Sequence, residues 1–259
     1  TNSVQSKKKN KKEKNREEFQ IERYYNDIKN DCDNPVIPVY LKTGYITSNE
    51  GEDLKKIQNK IKSSKIVKFS QREINDILKN TKTSNKLLND WFDYFKKIDV
   101  SGIDVEGQGK IKDSLSVEEK LNKNIKLKIL DFLAESLKNK LGRDCDCYVA
   151  DWRGKNAFCW IYPKGASSAS NNDFFEFEIE FGERITLKLM KDAHGKKDKD
   201  LCNDFFKDCD CWVNKCKNKN ILAEFKFKEK ISVLDCSYAD LLNEIIGGID
   251  NIKELLKRL

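Results

Sequence analysis

The spacing of apolar residues predicts a first block of structure in which helices alternate with short strands. Apolar side chains recur at helical spacing over four segments, 17–29, 53–62, 71–79 and 84–98. Between them lie two short apolar runs: 36–41 predicts a buried strand, and 65–69 predicts a second strand. The order helix, strand, helix, strand, helix is typical of an α/β layer with neighbouring parallel strands.

Two of the predicted helices carry sequence signals for their first turn. Ser70, followed three residues later by Glu73, forms the capping-box pattern before the third helix. Ser116 would cap a long amphipathic helix over 117–141, which Gly142 would end. We therefore expect these helices to begin directly after Ser70 and Ser116.

After the long helix, the period of the apolar pattern changes to two. Five segments predict strands, namely 145–152, 157–163, 174–181, 185–190 and 221–228. The Lys-, Asp- and Cys-rich stretch 198–220 favours a helix, and 238–259 predicts a C-terminal helix. This half of the chain therefore predicts an α+β domain, with an antiparallel sheet that packs helices on one face.

A change of pattern near residue 100 indicates how the chain is divided. Residues 99–114 contain three glycines and no clear period, which predicts a linker. The expected organisation is a basic tail (1–16), an α/β domain (17–98), the linker, and the α+β domain (115–259).

Composition narrows the class of protein. The chain has 259 residues and a formal net charge of +7, with 50 Lys and Arg against 43 Asp and Glu. Its 38% of hydrophobic residues is too high for a disordered chain. No apolar run approaches the ~18 residues of a membrane helix, so we expect no membrane association. The polar N-terminus and the odd number of cysteines, nine, predict a reduced cytoplasmic compartment.

Gln20 and Tyr24 form the motif with the most chemical content. Their spacing places them one turn apart on one face of the first helix. A Gln amide can donate to a phosphate or to a metal-bound water, and the Tyr hydroxyl can reach a neighbouring phosphate. A Tyr that anchors an amphipathic helix beside a polar Gln gives the same spacing, so the motif alone leaves both interpretations open.

The stretch 20–98 resembles the C-terminal part of PD-(D/E)XK nucleases of the RecB-like kind. The resemblance lies in the order of short motifs: the Gln-x-x-x-Tyr helix, a strand that ends in Lys42-Thr43-Gly44, a second strand, a capped helix and an aromatic-rich helix. It implies a restriction-endonuclease-like α/β/α layer and a hydrolase that cleaves DNA phosphodiester bonds with Mg²⁺. It also implies DNA as a partner, a bacterial role in DNA processing or defence, and a supporting catalytic role for Gln20 and Tyr24.

The chain departs from this family upstream of Gln20. The family places an Asp and a Glu-x-Lys on adjacent strands before the Gln-x-x-x-Tyr helix, and residues 1–19 contain neither. The two carboxylates would hold Mg²⁺ by oxygen ligation, and the Lys would orient the attacking water. The first residue is Thr1 and the only methionine is Met190, so we expect that an upstream segment or a partner chain supplies this half, unless the nuclease has decayed.

Basic residues cluster just before the Gln20 helix. Arg23, within the helix, and the tail cations would give salt-dependent, sequence-independent affinity for DNA. The tail cations are Lys7, Lys8, Lys9, Lys11, Lys12, Lys14 and Arg16. A solvated tail is the alternative, and a non-enzymatic module that binds protein or nucleic acid is the second functional hypothesis.

Two patterns of carboxylates in the second half of the chain are alternative candidates for a catalytic or metal-binding site. Glu224 and Lys226 form a Glu-x-Lys, with Asp208 or Asp210 as a second carboxylate, although an ordinary half-buried strand gives a similar pattern. Three further carboxylates share one sheet face by their period of two, namely Glu176, Glu178 and Glu180. They could bind a divalent ion, but pairing with Lys188 on a solvated face is the simpler interpretation.

The cysteines and the single histidine give weaker signals. A tetrahedral zinc site could use Cys202, Cys209, Cys211 and Cys216. Cys145, Cys147 and Cys159 could also contribute, although buried free thiols are the simpler interpretation. His194 lies in a Lys-rich stretch whose polar setting argues against nucleophilic catalysis.

Overall fold

The structure is a computed structural model with two compact units, residues 1–101 and 102–259. It describes residues 20–32, 34–62, 65–81, 84–98, 105, 109, 111, 122–142, 145–150, 156–163, 175–182, 185–191, 210–214, 221–227 and 235–256. Among these residues, no helix is long and apolar enough to cross a membrane.

The first unit contains a two-stranded parallel sheet and four described helices. The elements are α1 (Gln20–Asp31), β1 (Val39–Leu41), α2 (Ser48–Ile61), β2 (Val67–Phe69), α3 (Gln71–Lys79) and α4 (Lys86–Ile98). Strands β1 and β2 pair in register with Tyr40 opposite Lys68, and α2 connects them. The predicted order of elements and the parallel pairing are therefore confirmed.

Capping side chains decide where two of these helices begin. The Ser70 hydroxyl accepts from the Arg72 amide at 3.2 Å, and the Glu73 carboxylate accepts from the Ser70 amide at 2.8 Å, which confirms the predicted capping box. A second box, formed by Thr47 and Glu50, starts α2 at Ser48. The predicted start of α2 at residue 53 was wrong because this box starts the helix five residues earlier.

The prediction of a buried strand over 36–41 was wrong in length and in burial. Only Val39–Leu41 is strand, because β2 offers a partner of only three residues. Tyr40 is buried in a core of α1 and α2 side chains, whereas Val39 and Leu41 are exposed. The apolar run does have two apolar faces, but the described residues cover only one of them.

The second unit is a six-stranded antiparallel sheet with two described helices. Its elements are α5 (Lys123–Leu141), β3 (Cys145–Ala150), β4 (Ala157–Pro163), β5 (Phe175–Phe181), β6 (Ile185–Lys191), β7 (Trp212–Asn214), β8 (Ile221–Phe225) and α6 (Tyr238–Leu256). The strand order is β3-β4-β5-β6-β8-β7, and every pairing is antiparallel. The predicted α+β class of this half is therefore confirmed.

Both helices pack on one face of this sheet. Helix α5 contacts β3 and β4, and its Ser136 hydroxyl lies 2.8 Å from the Tyr238 hydroxyl of α6. Trp212 in β7 donates its indole N–H to the Gly248 carbonyl of α6 at 3.3 Å. Alternate residues of the strands point toward α5 and α6. Side chains on that face of the sheet, such as Phe177 and Ile179, are therefore fully buried.

Several boundaries in this unit differ from the prediction. Helix α5 begins at Lys123 and not at 117, because the Asn122 side chain accepts from the Ile125 amide at 3.0 Å and caps the helix there. Ser116 lies outside the described residues. The helix predicted over 198–220 was wrong at 212–214, which is strand β7.

Candidate functional site

Gln20 and Tyr24 meet on the exposed face of α1. The Gln20 side-chain amide donates to the Tyr24 hydroxyl at 2.7 Å, and the Tyr24 side chain is 50% exposed. The Arg23 guanidinium lies 5.2 Å from the centre of the Tyr24 ring. An amide, a hydroxyl and a guanidinium are therefore close together at the surface, and all three can donate hydrogen bonds to a phosphate.

The opposite face of α1 fixes the rotation of the helix. Tyr25 is part of the buried core, and the buried Glu22 carboxylate lies 3.4 Å from the Lys60 amine of α2. Because this face is anchored, Gln20 and Tyr24 are held outward. Burial of Tyr25 thus orients the helix, and Tyr24 remains exposed at the surface.

Lys42, in the Lys-Thr-Gly turn after β1, forms an ion pair with Glu50 that supports the local fold. Its amine lies 2.8 and 2.6 Å from the two carboxylate oxygens of Glu50. The same carboxylate accepts from the Thr47 amide at 3.0 Å and the Tyr40 hydroxyl at 3.4 Å. Glu50 therefore ties the end of β1 to the start of α2, and these hydrogen bonds stabilise its buried charge.

The described residues do not fit the Mg²⁺ site that the nuclease resemblance implies. No group of three or more His, Cys, Asp or Glu side chains within the described ranges is arranged to hold a metal ion. The side chains brought together on α1 are an amide, a phenol and a guanidinium, which are poor Mg²⁺ ligands. Any metal-binding carboxylates of such a site must come from other residues.

The Glu-x-Lys of the second unit lies on the sheet face that α5 and α6 leave uncovered. Glu224 in β8 pairs in register with Lys188 in β6 and with Val213 in β7. Lys226 and Asp210 are exposed, and Asp208 lies outside the described residues. The structure brings no metal-binding carboxylate cluster to Glu224 within the described part of the chain.

Lys188 neutralises two of the three alternating carboxylates on this outer face. Its amine lies 3.2 Å from the Glu178 carboxylate and also contacts Glu180. Glu178 further accepts from the Trp160 indole at 3.0 Å, and Glu180 accepts from the Asn156 amide at 2.7 Å. Pairing with Lys188 is confirmed for Glu178 and Glu180, but the predicted solvated face was wrong for these two, whose side chains are only 12% and 25% exposed.

The shared contacts shift the pKa of both partners. Partial burial favours the neutral form of Glu180, but the hydrogen bond and charge of Lys188 outweigh it and lower the pKa of Glu180. Burial likewise opposes the charged form of Lys188, yet its bonds to Glu180 and Glu178 raise the pKa of Lys188. Both groups therefore remain charged across the neutral range.

Sequence reasoning missed an aromatic row beside these carboxylates. Phe158 and Trp160 stack with ring centres 5.8 Å apart, and Tyr148 lies 6.1 Å from Trp160. Tyr162 is 43% exposed, and burial of its other part together with Glu176 raises the pKa of its hydroxyl. The alternation of Phe158, Trp160 and Tyr162 was a signal in the sequence that could have identified this face.

Three of the six described thiols fit the interpretation of buried free cysteines, whereas Cys32 is exposed and Cys211 and Cys236 are partly exposed. Cys145, Cys147 and Cys159 are buried on the helix-covered face, and the Cys145 and Cys147 sulfurs are 3.9 Å apart. Of the four cysteines proposed as a tetrahedral zinc site, only Cys211 is among the described residues, and its sulfur accepts from the Asn251 amide at 3.8 Å. The other three candidates are Cys202, Cys209 and Cys216, and they lie outside the described residues, as does His194.

Comparisons with family models, with curated proteins and with solved structures find no match. The basic cluster between Lys7 and Arg16 lies outside the described residues.

Proposed function

We propose that residues 20–98 are the C-terminal part of a Mg²⁺-dependent PD-(D/E)XK DNA nuclease domain. Gln20 and Tyr24 would support its active site, and another segment would supply the metal-binding carboxylates. The observation that carries the proposal is the 2.7 Å hydrogen bond between Gln20 and Tyr24 on the exposed face of a helix beside a parallel strand–helix–strand unit. The chain by itself would bind DNA weakly and cleave nothing.

The chemistry of α1 suits contact with a nucleic-acid backbone. The hydrogen bond from Gln20 fixes the position of the Tyr24 hydroxyl, and the exposed ring keeps that hydroxyl within reach of a phosphate. The Arg23 guanidinium above the ring can bind a phosphate through two parallel hydrogen bonds. These groups would position DNA and stabilise charge without contacting the metal directly.

The distribution of exposed apolar side chains supports the view that the first unit is incomplete. Parallel sheets are normally covered on both faces. Among the described residues, nine of the ten exposed large hydrophobic side chains lie in the first unit. They are Tyr24, Ile28, Ile37, Val39, Leu41, Ile77, Leu87, Trp91 and Tyr94. Further structure packed on this unit would cover such a surface.

The same apolar surface also supports the second candidate, a non-enzymatic interaction module. A protein partner could cover it as well as the missing half of a nuclease domain could. The coding sequence directly upstream of Thr1 separates the two candidates. Two strands that carry an Asp and a Glu-x-Lys support the nuclease, whereas a start codon immediately upstream supports the interaction module.

A salt titration of DNA binding tests the nucleic-acid part of the proposal. We expect the logarithm of the affinity for duplex DNA to fall linearly with the logarithm of salt concentration. Deletion of residues 1–16 should make this slope shallower by ~0.9 for each DNA phosphate that the tail neutralises. Arg23→Gln should also weaken binding, whereas Arg72→Gln, an exposed cation on α3, serves as the matched control. Absence of salt-dependent binding would contradict a DNA partner.

A further inference from the structure

The outer face of strands β3, β4 and β5 is acidic in a chain that is basic overall. These three strands contain neither lysine nor arginine, and they carry four carboxylates, Asp146, Glu176, Glu178 and Glu180. The whole chain has 50 Lys and Arg among 259 residues and a net charge of +7. Lys188, on the adjacent strand β6, contacts Glu178 and Glu180. Negative charge is therefore concentrated on this face, although the chain as a whole is positive.

Tyr162 lies between two of these carboxylates. It is opposite Asp146 of β3 in the strand register, and its hydroxyl donates a hydrogen bond to the Glu176 carboxylate of β5. Neighbouring strands are about 5 Å apart, so a carboxylate flanks Tyr162 on each side. Asp146 is exposed, and no cation among the described residues forms an ion pair with it. An acidic group that a partner can reach therefore lies beside Tyr162.

The Tyr162 ring is also accessible to a partner. Tyr162 is 43% exposed. On the same face Tyr148, Phe158 and Trp160 pack against one another, whereas within the described part of the chain Tyr162 packs against no other ring. The face of an aromatic ring attracts a cation, and the neighbouring carboxylates add to this attraction. We call Asp146, Tyr162 and Glu176 the Tyr162 site.

We propose that the Tyr162 site binds an arginine side chain presented by a separate protein. A guanidinium is planar, so it can stack on the Tyr162 ring while it donates two parallel hydrogen bonds to the Asp146 carboxylate. A lysine amine is a compact point charge and makes neither the stacked nor the two-bond contact. The occupant is a protein and not a nucleic acid, because the carboxylates of this face repel phosphate groups.

The cations of this chain fit the site less well than an arginine from a separate protein. Lys188 is held by Glu178 and Glu180, and helix α5 with its lysines packs on the opposite face of the sheet. The basic tail, residues 1–16, contains six lysines and one arginine, so it offers mostly amines. A separate protein with neighbouring arginines supplies the planar cations that the site favours. No catalytic role of α1 is required.

Fluorescence anisotropy of a labelled peptide of alternating glycine and arginine tests the site in the full-length chain. We expect saturable binding that weakens as the salt concentration rises. The matching peptide of glycine and lysine should bind about threefold more weakly or less. Because the chain has a net charge of +7, its overall charge opposes binding of a cationic peptide. Saturable binding would therefore report a local acidic site.

Two single substitutions separate the contribution of the ring from that of the charge. Tyr162→Leu keeps an apolar side chain but removes the aromatic ring, and Asp146→Asn removes the exposed charge. Each should weaken binding of the arginine peptide about threefold to tenfold. Tyr94→Leu and Asp90→Asn are the matched controls on α4 and should bind normally. Circular dichroism of all four variants should match that of the parent chain, since the four positions are exposed.

Three results would overturn the proposal: no saturable binding, parent-like binding by both Tyr162→Leu and Asp146→Asn, or equally tight binding of the lysine peptide. Binding that appears only after deletion of residues 1–16 would identify the tail of this chain as the occupant, and it would overturn the proposal as well. None of these measurements uses DNA or Mg²⁺, so failure here is distinguishable from failure of the nuclease proposal.

Discussion

Gly248 in α6 lies against the ring of Phe225 in β8. A Cβ atom at Gly248 would lie 3.0 Å from two ring carbons of Phe225 and 3.1 Å from a methyl carbon of Leu187. The absence of a side chain therefore lets α6 approach the sheet closely. Gly247, the preceding residue, has no heavy atom within 4 Å of the equivalent position.

Gly248→Ala should destabilise the second unit, because the added methyl group must displace the Phe225 ring. We expect a loss of about 1–3 kcal/mol in the free energy of unfolding, measured by urea denaturation. Gly247→Ala is the matched control and should stabilise the same helix by up to ~1 kcal/mol. Equal stability of the two variants would show that α6 does not approach Phe225 this closely.

Lys188→Met should destabilise the sheet, because two half-buried carboxylates lose their cation. We expect a loss of ~1–3 kcal/mol in the free energy of unfolding. Adding Glu178→Gln and Glu180→Gln to this variant should recover a large part of the loss, since the remaining side chains are then neutral. If the triple variant is no more stable than Lys188→Met, the ion pairs do not hold this face together.

The ion pairs of Lys188 with Glu178 and Glu180 should lose their stabilising effect at both low and high pH. The lowered pKa of Glu180 gives stability that is present above its ordinary value of 4.5 and lost as pH falls through the lowered pKa. The raised pKa of Lys188 gives stability that is present below its ordinary value of 10.5 and lost as pH rises through the raised pKa. The stability difference between parent and triple variant should therefore shrink at both extremes, and a difference independent of pH would contradict the assignment.

Ser70→Ala should destabilise the first unit by about 1 kcal/mol, because it removes the cap of α3. The Ser70 hydroxyl lowers the pKa of Glu73, so the stability that this contact gives is present above pH 4.5 and lost as pH falls through the lowered pKa. Thermal unfolding of Ser70→Ala and Glu73→Gln at neutral and acidic pH measures both effects. Equal destabilisation by Glu73→Gln at both pH values would be inconsistent with an ionised Glu73 in the capping box.

Alkylation by iodoacetamide near pH 8 should separate the exposed thiol from the buried ones. Cys32 is exposed and should react rapidly. The bond from Cys145 favours the Cys147 thiolate, but Cys159 and burial outweigh it and raise the pKa of Cys147. Burial raises the pKa of Cys236 to about 11. Mass spectrometry of peptides should therefore show Cys147 and Cys236 protected until the chain is denatured, and rapid labelling of Cys147 would contradict its burial.

Much of the fold followed from local patterns in the sequence. Period-two alternation located strands such as β4 and β5 to within a residue or two, and the Ser70–Glu73 box placed α3 correctly. The predicted starts of α2 and α5 were wrong because Thr47 and Asn122 cap those helices, and the spacing of apolar residues does not by itself identify the capping residue.

The exposure of β1 could not be predicted from its sequence. An apolar run indicates that both faces of a strand are suited to burial. Only tertiary packing determines which of the two faces is covered. The pairing of Gln20 with Tyr24 follows from helical spacing, whereas the outward orientation of that pair depends on Glu22 and Tyr25 packing against the rest of the unit.

Cleavage of plasmid DNA in the presence of Mg²⁺ tests the nuclease proposal most directly. The chain alone should cleave nothing, and joining it to a segment that supplies the metal-binding carboxylates should give cleavage. In the joined protein, Gln20→Ala and Tyr24→Phe should each lower the cleavage rate about tenfold to a hundredfold. Asn26→Ala, an exposed change on the same helix, should leave the rate unchanged. Cleavage by the chain alone, or full activity of the Gln20 and Tyr24 variants in the joined protein, would contradict the account.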